Sequence, residues 1–198
     1  VSRIALGTWA IGGWMWGGTD EDVSIKTIHA ALDRGINCID TAPVYGFGRS
    51  EEIVGKALQE YGGRERILLA TKAGLEWDNN TIRRNSGRQR LRKEIDDSLQ
   101  RLRTDYIDLY QIHWPDHRTP FEETAEELEK LKDEGKIRAA GVSNFSPEQM
   151  DAFRQGGLLS SNQPPYNLFE RSIENDVMPY CRRQGIALVT YGALCRGL

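Results

Sequence analysis

The 198-residue chain is poor in the features that would place it in several large classes. No apolar run approaches the ~20 residues of a membrane span, and no basic, apolar leader precedes the first strand-like segment. The three cysteines (Cys38, Cys181, Cys195) are odd in number, far apart and never paired as Cys-x-x-Cys. This excludes a disulfide framework or a zinc knuckle and suits the reducing cytoplasm. An excess of one charge is also missing. The 26 Lys+Arg and 29 Asp+Glu leave a net charge of -3, whereas a dedicated nucleic-acid binder is normally clearly basic. No Gly-x-Gly-x-x-Gly follows a strand and there is no Walker loop. His113 and His117 are four apart, but Pro115 breaks any helix between them and no third ligand is evident, so no metal site is expected. Nucleic-acid and membrane partners are likewise not expected, and the sequence does not indicate an oligomeric state.

What the chain does have is one recurring pattern: a short Ile/Leu/Val run, a loop, an amphipathic stretch, then another run. The runs cover residues 4–6, 36–40, 67–72, 107–113, 137–143, 158–163 and 186–191. Their continuous apolar character is that of strands buried on both faces, as in a parallel sheet. The stretches between them have helix ends. Thr19-Asp20-Glu21-Asp22 places acidic residues at a helix start. Ser146-Pro147-Glu148-Gln149 is a capping box with proline at the first helical position. Gly35, Gly135 and Gly185 stand where left-handed C-caps are wanted. From the second strand onward the starts are 31, 40, 30, 21 and 28 residues apart, room for one crossover helix each. The pattern predicts α/β architecture, a doubly wound sheet or a (β/α)8 TIM barrel, and the count favours the barrel with about seven βα units present. An eighth unit needs roughly 30 more residues and an open barrel leaves two unpaired edges, so residues 1–198 are expected to be one barrel domain incomplete at both ends.

In parallel α/β folds, chemistry gathers where strands end. The second run ends in Asp40 and leads to Tyr45, the third ends in Lys72 and the fourth in His113. Together these make a proton donor. A free phenol, with a pKa of about 10, is too weak an acid near neutrality. Lys72 beside Tyr45 is expected to lower that value, Asp40 to hold the ammonium, and His113 to orient a substrate oxygen. Such a set suits protonation of an oxygen on which negative charge builds, as in carbonyl reduction. Each residue alone also has a structural reading: a loop-capping Asp, a solvated Lys, a packed Tyr, a structural His.

Asp40-Thr41-Ala42-Pro43-Val44-Tyr45-Gly46, Thr71-Lys72, Ile112-His113 and Gly141-Val142-Ser143-Asn144-Phe145 resemble the aldo-keto reductase superfamily. So do Leu6-Gly7-Thr8-Trp9 at the start and the stretch 102–110. His113-Trp114-Pro115-Asp116 and Tyr191-Gly192-Ala193-Leu194 resemble its bacterial general-stress-type branch, near the potassium-channel β-subunits. The resemblance implies a (β/α)8 barrel that takes NADPH, with NADH possible, and reduces a small-molecule carbonyl. It implies Tyr45 as general acid, Lys72 tuning it, Asp40 paired with Lys72, and His113 polarising the carbonyl. Ser143, Asn144 and Gln163 would bind the nicotinamide carboxamide, and Tyr191 would stack on its ring. The loop 192–197, including Gly192, Ala193, Leu194 and Arg196, would cover the pyrophosphate, and Thr8, Trp9 and Asp40 would also line the cofactor site. Trp9 and Trp114 would touch substrate beside Tyr45 and His113. Preference for NADPH over NADH rests on the resemblance alone, because residues 1–198 contain no eighth unit.

Two rival readings remain open at this stage. In one, the nicotinamide site serves a redox-sensing or regulatory protein with little turnover. In the other, Lys72 is the Schiff-base lysine of an aldolase-type barrel. All five tryptophans fall at or after strand ends, as an aromatic pocket or as loop packing. Residues 83–103 carry eight basic and three acidic side chains, and 121–134 seven acidic and two lysines. These are expected to be two solvated helix faces, with phosphate or RNA contact as the lesser alternative.

Overall fold

The computed structural model describes residues 1–79 and 81–195. Among these, seven strands form one parallel sheet: β1 (Leu6–Gly7), β2 (Cys38–Asp40), β3 (Leu68–Ala73), β6 (Ile107–Ile112), β7 (Ile137–Ser143), β8 (Ser161–Gln163) and β9 (Ala187–Leu188). Neighbours in the sheet follow chain order, the sequential arrangement of a (β/α)8 barrel. A short antiparallel hairpin, β4 (Leu75–Asp78) with β5 (Thr81–Arg84), leaves the top of β3.

Among the described residues, six α-helices cover the sheet's outer face: α1 (Glu21–Asp33), α2 (Arg49–Tyr61), α3 (Arg88–Leu102), α4 (Phe121–Asp133), α5 (Pro147–Phe153) and α6 (Val177–Gln184). Their apolar stripes, with Ile28, Ile53, Leu91, Ile95, Leu128 and Leu131 essentially inaccessible, close on Ile39, Leu69, Ile112 and Val142 of the strands. The predicted helix signals are realised. Asp20 caps α1, and Ser146 and Gln149 form the capping box of α5. Gly35, Gly135 and Gly185 all have left-handed backbone. No described helix is long and apolar enough to cross a membrane.

Three expectations need correction. The run 158–163 becomes a strand only at Ser161, because Leu158 turns outward and is 70% exposed. The run 186–191 narrows to Ala187–Leu188, and Tyr191 rejoins the sheet through a single parallel bridge to Pro165. The two charged stretches are not independent solvated faces. Their larger parts form α3 and α4, which meet, so Arg88 pairs with Glu123 (3.2 Å) and Glu126 (3.0 Å), and Arg92 with Glu134 (2.9 Å) and the buried Glu127, while Arg83 and Arg84 belong to β5. Of the eight basic residues, Arg88 and Arg92 pair across this helix–helix seam, while Arg90, Lys93 and Arg101 pair with acids elsewhere.

Candidate active site

The site begins with the alternation of β3. Successive strand residues face opposite sides of a sheet, so Lys72 enters the barrel while Thr71 faces the helices. Lys72 is 1% exposed, and its ammonium donates to Asp40 Oδ2 (2.7 Å), Thr41 O (3.0 Å) and Tyr45 Oη (3.2 Å). All three hydrogen atoms are thereby used. Asp40, at the end of β2, also accepts from Gln163 Nε2 (2.9 Å) and Gln111 Nε2 (3.4 Å) at Oδ1.

Tyr45 lies in the tight loop between β2 and α2, whose backbone is fixed by close approach. A Cβ on Gly12 would lie 2.5 Å from Tyr45 C, and one on Gly46 would lie 2.1 Å from Gly12 O. Only glycine at both positions lets the loop after β1 seat against Tyr45, and Gly46 also has φ +65°. Ser50, at the start of α2, locks the layer below through Thr8 O (2.9 Å), Thr8 Oγ1 (2.8 Å) and Thr41 Oγ1 (3.0 Å). Thr8 is completely buried and its hydroxyl also donates to Asp40 O (3.1 Å), so this side chain ties β1 to β2 instead of facing the open rim.

His113 follows β6, with its main-chain N–H on Ala73 O (2.9 Å). Its ring meets Tyr45 edge-on, 5.8 Å between centroids, and Trp9 stacks on Tyr45 at 6.2 Å. Asp40, Tyr45, Lys72 and His113 thus converge on one rim, as the strand-end argument expects.

The electrostatics correct one expectation. Burial raises the Tyr45 phenol above its ordinary value, Lys72 pulls it back only in part, and Asp40 adds to the rise. The resting tyrosine therefore holds its proton. Burial works against the Lys72 ammonium, but Asp40 and then Tyr45 more than offset it, and the amine titrates above its usual range. Burial, followed by the Lys72 charge, holds His113 well below the ordinary histidine value. At neutral pH the site is a neutral phenol, a charged ammonium and a neutral imidazole.

The residues expected around a nicotinamide are brought to the adjoining strand ends. Ser143 Oγ donates to Gln163 O (2.7 Å), and Asn144 Nδ2 donates to Ser143 Oγ (3.0 Å) and His113 O (3.1 Å). Tyr191 Oη donates to Asn144 Oδ1 (2.9 Å), and the residue is 39% exposed. Asn144 adopts left-handed backbone, φ 64°, to reach these partners. Amide, hydroxyl and an accessible aromatic face suit a planar heterocycle bearing a carboxamide. Gly192, Ala193 and Leu194 are exposed beyond them, and Ala193 lines a pocket of about 360 Å³ with Tyr166, Asn167, Leu168 and Arg171. Arg196 and Gly197 lie outside the described residues.

The tryptophans divide between two aromatic chains on the same rim. Trp16 meets Trp9, which meets Tyr45, while Trp14 and Trp77 both pack on Phe47. Trp114 is 37% exposed, with the Arg84 guanidinium 5.2 Å from its ring centroid and bonded to Pro115 O (3.0 Å). Sequence reasoning missed Phe47, Ser50, Arg84 and Gln111. Gln111 alone had a usable signal, since it lies two residues before His113 and so faces the same side of β6 as that strand end.

Residues 3–198 match the aldo/keto reductase family. The chain belongs to that family. It is 63% identical over 198 residues to aldo-keto reductase YhdN of Bacillus subtilis, covering all of this chain and 60% of that protein. It is 42% identical over 213 residues to the NADH-specific methylglyoxal reductase of Escherichia coli, covering 100% of this chain and 65% of that one. Among solved structures, the glycerol dehydrogenase AKR11B4 of Gluconobacter oxydans superposes with a TM-score of 0.93 at 60% identity, over 100% of this chain and 61% of that one. An aldo-keto reductase of Klebsiella pneumoniae in complex with NADPH gives 0.86 at 33% identity, over 99% and 65%. The chain thus spans between 60% and 65% of the length of these relatives. Aldo-keto reductases are oxidoreductases.

Proposed function

We propose that residues 1–198 carry the proton-donating centre of a reductase that converts small aldehydes and ketones to alcohols with NADPH or NADH. The observation that carries this reading is the three-way contact of the Lys72 ammonium with Asp40, Thr41 O and Tyr45 Oη. When bound, a reduced nicotinamide supplies the hydride, and Ser143, Asn144, Gln163 and Tyr191 are the residues that would hold it, with Trp9 beside them and the 192–194 loop toward its phosphates.

The chain's own residues then manage the proton. Tyr45 gives its hydroxyl proton to the carbonyl oxygen as negative charge grows there. The phenolate left behind faces a permanent cation 3.2 Å away, so Lys72 stabilises the charge that appears during the reaction, not the resting state. Asp40 keeps that cation in place. Neutral His113 donates one N–H to the same substrate oxygen, while Trp9 and Trp114 exclude water from the pocket. The same geometry disfavours a Schiff-base role, since an attacking amine must be neutral and Lys72 is held charged. The free cysteines suit a cytoplasmic setting, and the span of the relatives supports reading residues 1–198 as part of one barrel domain.

The test is oxidation of NADPH and NADH by the full-length enzyme over a panel of small aldehydes. Sustained turnover is the expected result. Tight cofactor retention with a single slow turnover would favour a redox sensor, and a borohydride-trapped adduct on Lys72 an aldolase.

A further inference from the structure

Gln111 lies on β6 directly beside Lys72 in the sheet register and is completely buried. Its amide nitrogen donates to Asp40 Oδ1 (3.4 Å), and its amide oxygen has no hydrogen-bond partner among the described residues. A buried, half-satisfied amide costs stability where methionine or leucine would fill similar space. The fold nevertheless makes room for it. The next strand carries Gly141 opposite Gln111, where an added Cβ would stand 3.0 Å from Gln111 Cγ and 2.4 Å from Ser161 Oγ. Small residues on β7 and β8 thus leave the amide its place under Asp40.

We propose that Gln111 is a positioning residue for proton transfer: with Gln163 it holds Oδ1 of Asp40, so that Oδ2 stays aimed at the Lys72 ammonium facing Tyr45. Gln163 stands at the predicted carboxamide site and is exposed to competition from a ligand there, whereas Gln111 is sealed in the barrel. It therefore keeps the carboxylate oriented when Gln163 is drawn to another partner. The assignment rests on the reductase reading above.

The test uses the full-length enzyme. Gln111→Met, which keeps the shape and removes the donor, lowers kcat about tenfold, the loss expected for one charge-assisted hydrogen bond. KM and NADPH affinity stay within about twofold, and the thermal midpoint is unchanged or higher. Gln111→Glu supplies a donor only when its carboxyl is protonated, so its kcat relative to wild type climbs as pH falls. A merely structural glutamine gives the opposite pattern: a lower midpoint in Gln111→Met, kcat per folded molecule unchanged, and no pH-dependent rescue in Gln111→Glu. That pattern overturns the assignment, as does a kcat in Gln111→Met equal to wild type. A wild-type enzyme that reduces no carbonyl overturns the reductase reading itself and this assignment with it, so the two failures are told apart before any variant is made.

Discussion

Two adjacent residues of β3 lead into two very different buried polar clusters. Lys72 points inward to Asp40, Tyr45 and the two glutamines, and the cluster ends at a hydroxyl beside the open rim. Thr71 points outward to Glu51 (2.6 Å), which is completely buried and also accepts from Arg101 (2.7 Å) and Ser98 (3.3 Å). One turn of α3 away, Glu94 accepts from Gly74 N (2.9 Å) and pairs with Arg90 (3.2 Å). The outer cluster lies among groups fixed in α2, α3 and β3, and the Tyr110 hydroxyl beside it has no hydrogen-bond partner among the described residues. In the proposed function, the inner one leaves the Tyr45 proton for a substrate to take. Buried charge therefore does not mark an active site in this fold. In the proposed reading, the distinguishing feature is a buried charge whose network ends at the Tyr45 hydroxyl.

The comparison breaks first at the lysine. Lys72→Met is expected to lower kcat/KM by about 10²- to 10⁴-fold, the range of positioned acid catalysis. It also strands Asp40 in the barrel, at a stability cost of about 3–5 kcal/mol, so kinetics and denaturant melts both register it. If activity survives, the inner cluster is as structural as the outer.

Glu51→Leu is the mirror experiment. It deprives Thr71, Ser98 and Arg101 of their shared acceptor and is expected to cost about 3 kcal/mol in denaturant unfolding. Turnover per folded molecule should stay within about twofold. A large kcat loss in a stably folded Glu51→Leu enzyme would erase the distinction between the clusters.

The outer cluster also has a pH signature. Burial raises Glu94 to about 7 against an unfolded value of 4.5, despite the opposing pull of Arg90 and Gly74 N–H. Between those pH values the folded state keeps a proton that the unfolded chain releases, so stability falls as pH rises through that window. The total is roughly 3 kcal/mol, and Glu94→Gln flattens it. His113 acts in the opposite sense below the ordinary histidine value. Burial depresses it in the fold, so its contribution to stability is lost as pH falls. Thermal melts from pH 4 upward on wild type, Glu94→Gln and His113→Asn separate the two slopes.

The smallest effect belongs to the α3–α4 seam. Arg88, 44% exposed, faces Glu123 and Glu126, and Arg88→Ala should cost no more than about 1 kcal/mol, less at high salt.

Much of this was legible in the residues, for reasons that differ by element. β7 runs from Ile137 to Ser143 as read, because its apolar run coincides with the hydrogen-bonded segment. Leu158 and Leu159 look equally strand-like, yet the chain is still turning there and exposes the first of them. The β4–β5 hairpin was missed because Thr81, Ile82, Arg83 and Arg84 are all exposed and carry no alternation. Opposite charge at 83–103 and 121–134 was visible, but their contact depends on two helices being neighbours, which periodicity does not encode. The four rim residues were found because strand ends collect chemistry. The direction of the Tyr45 shift was misjudged because burial is a property of the assembled fold, and it outweighs a single lysine.

The central claim is that the Tyr45 proton, with the Lys72 charge behind it, completes carbonyl reduction. Single-turnover hydride transfer in full-length Tyr45→Phe, beside a fluorescence titration of NADPH, tests it most directly. NADPH binding within about twofold of wild type and transfer slowed by about 10²-fold or more are expected. Transfer at the wild-type rate would contradict it.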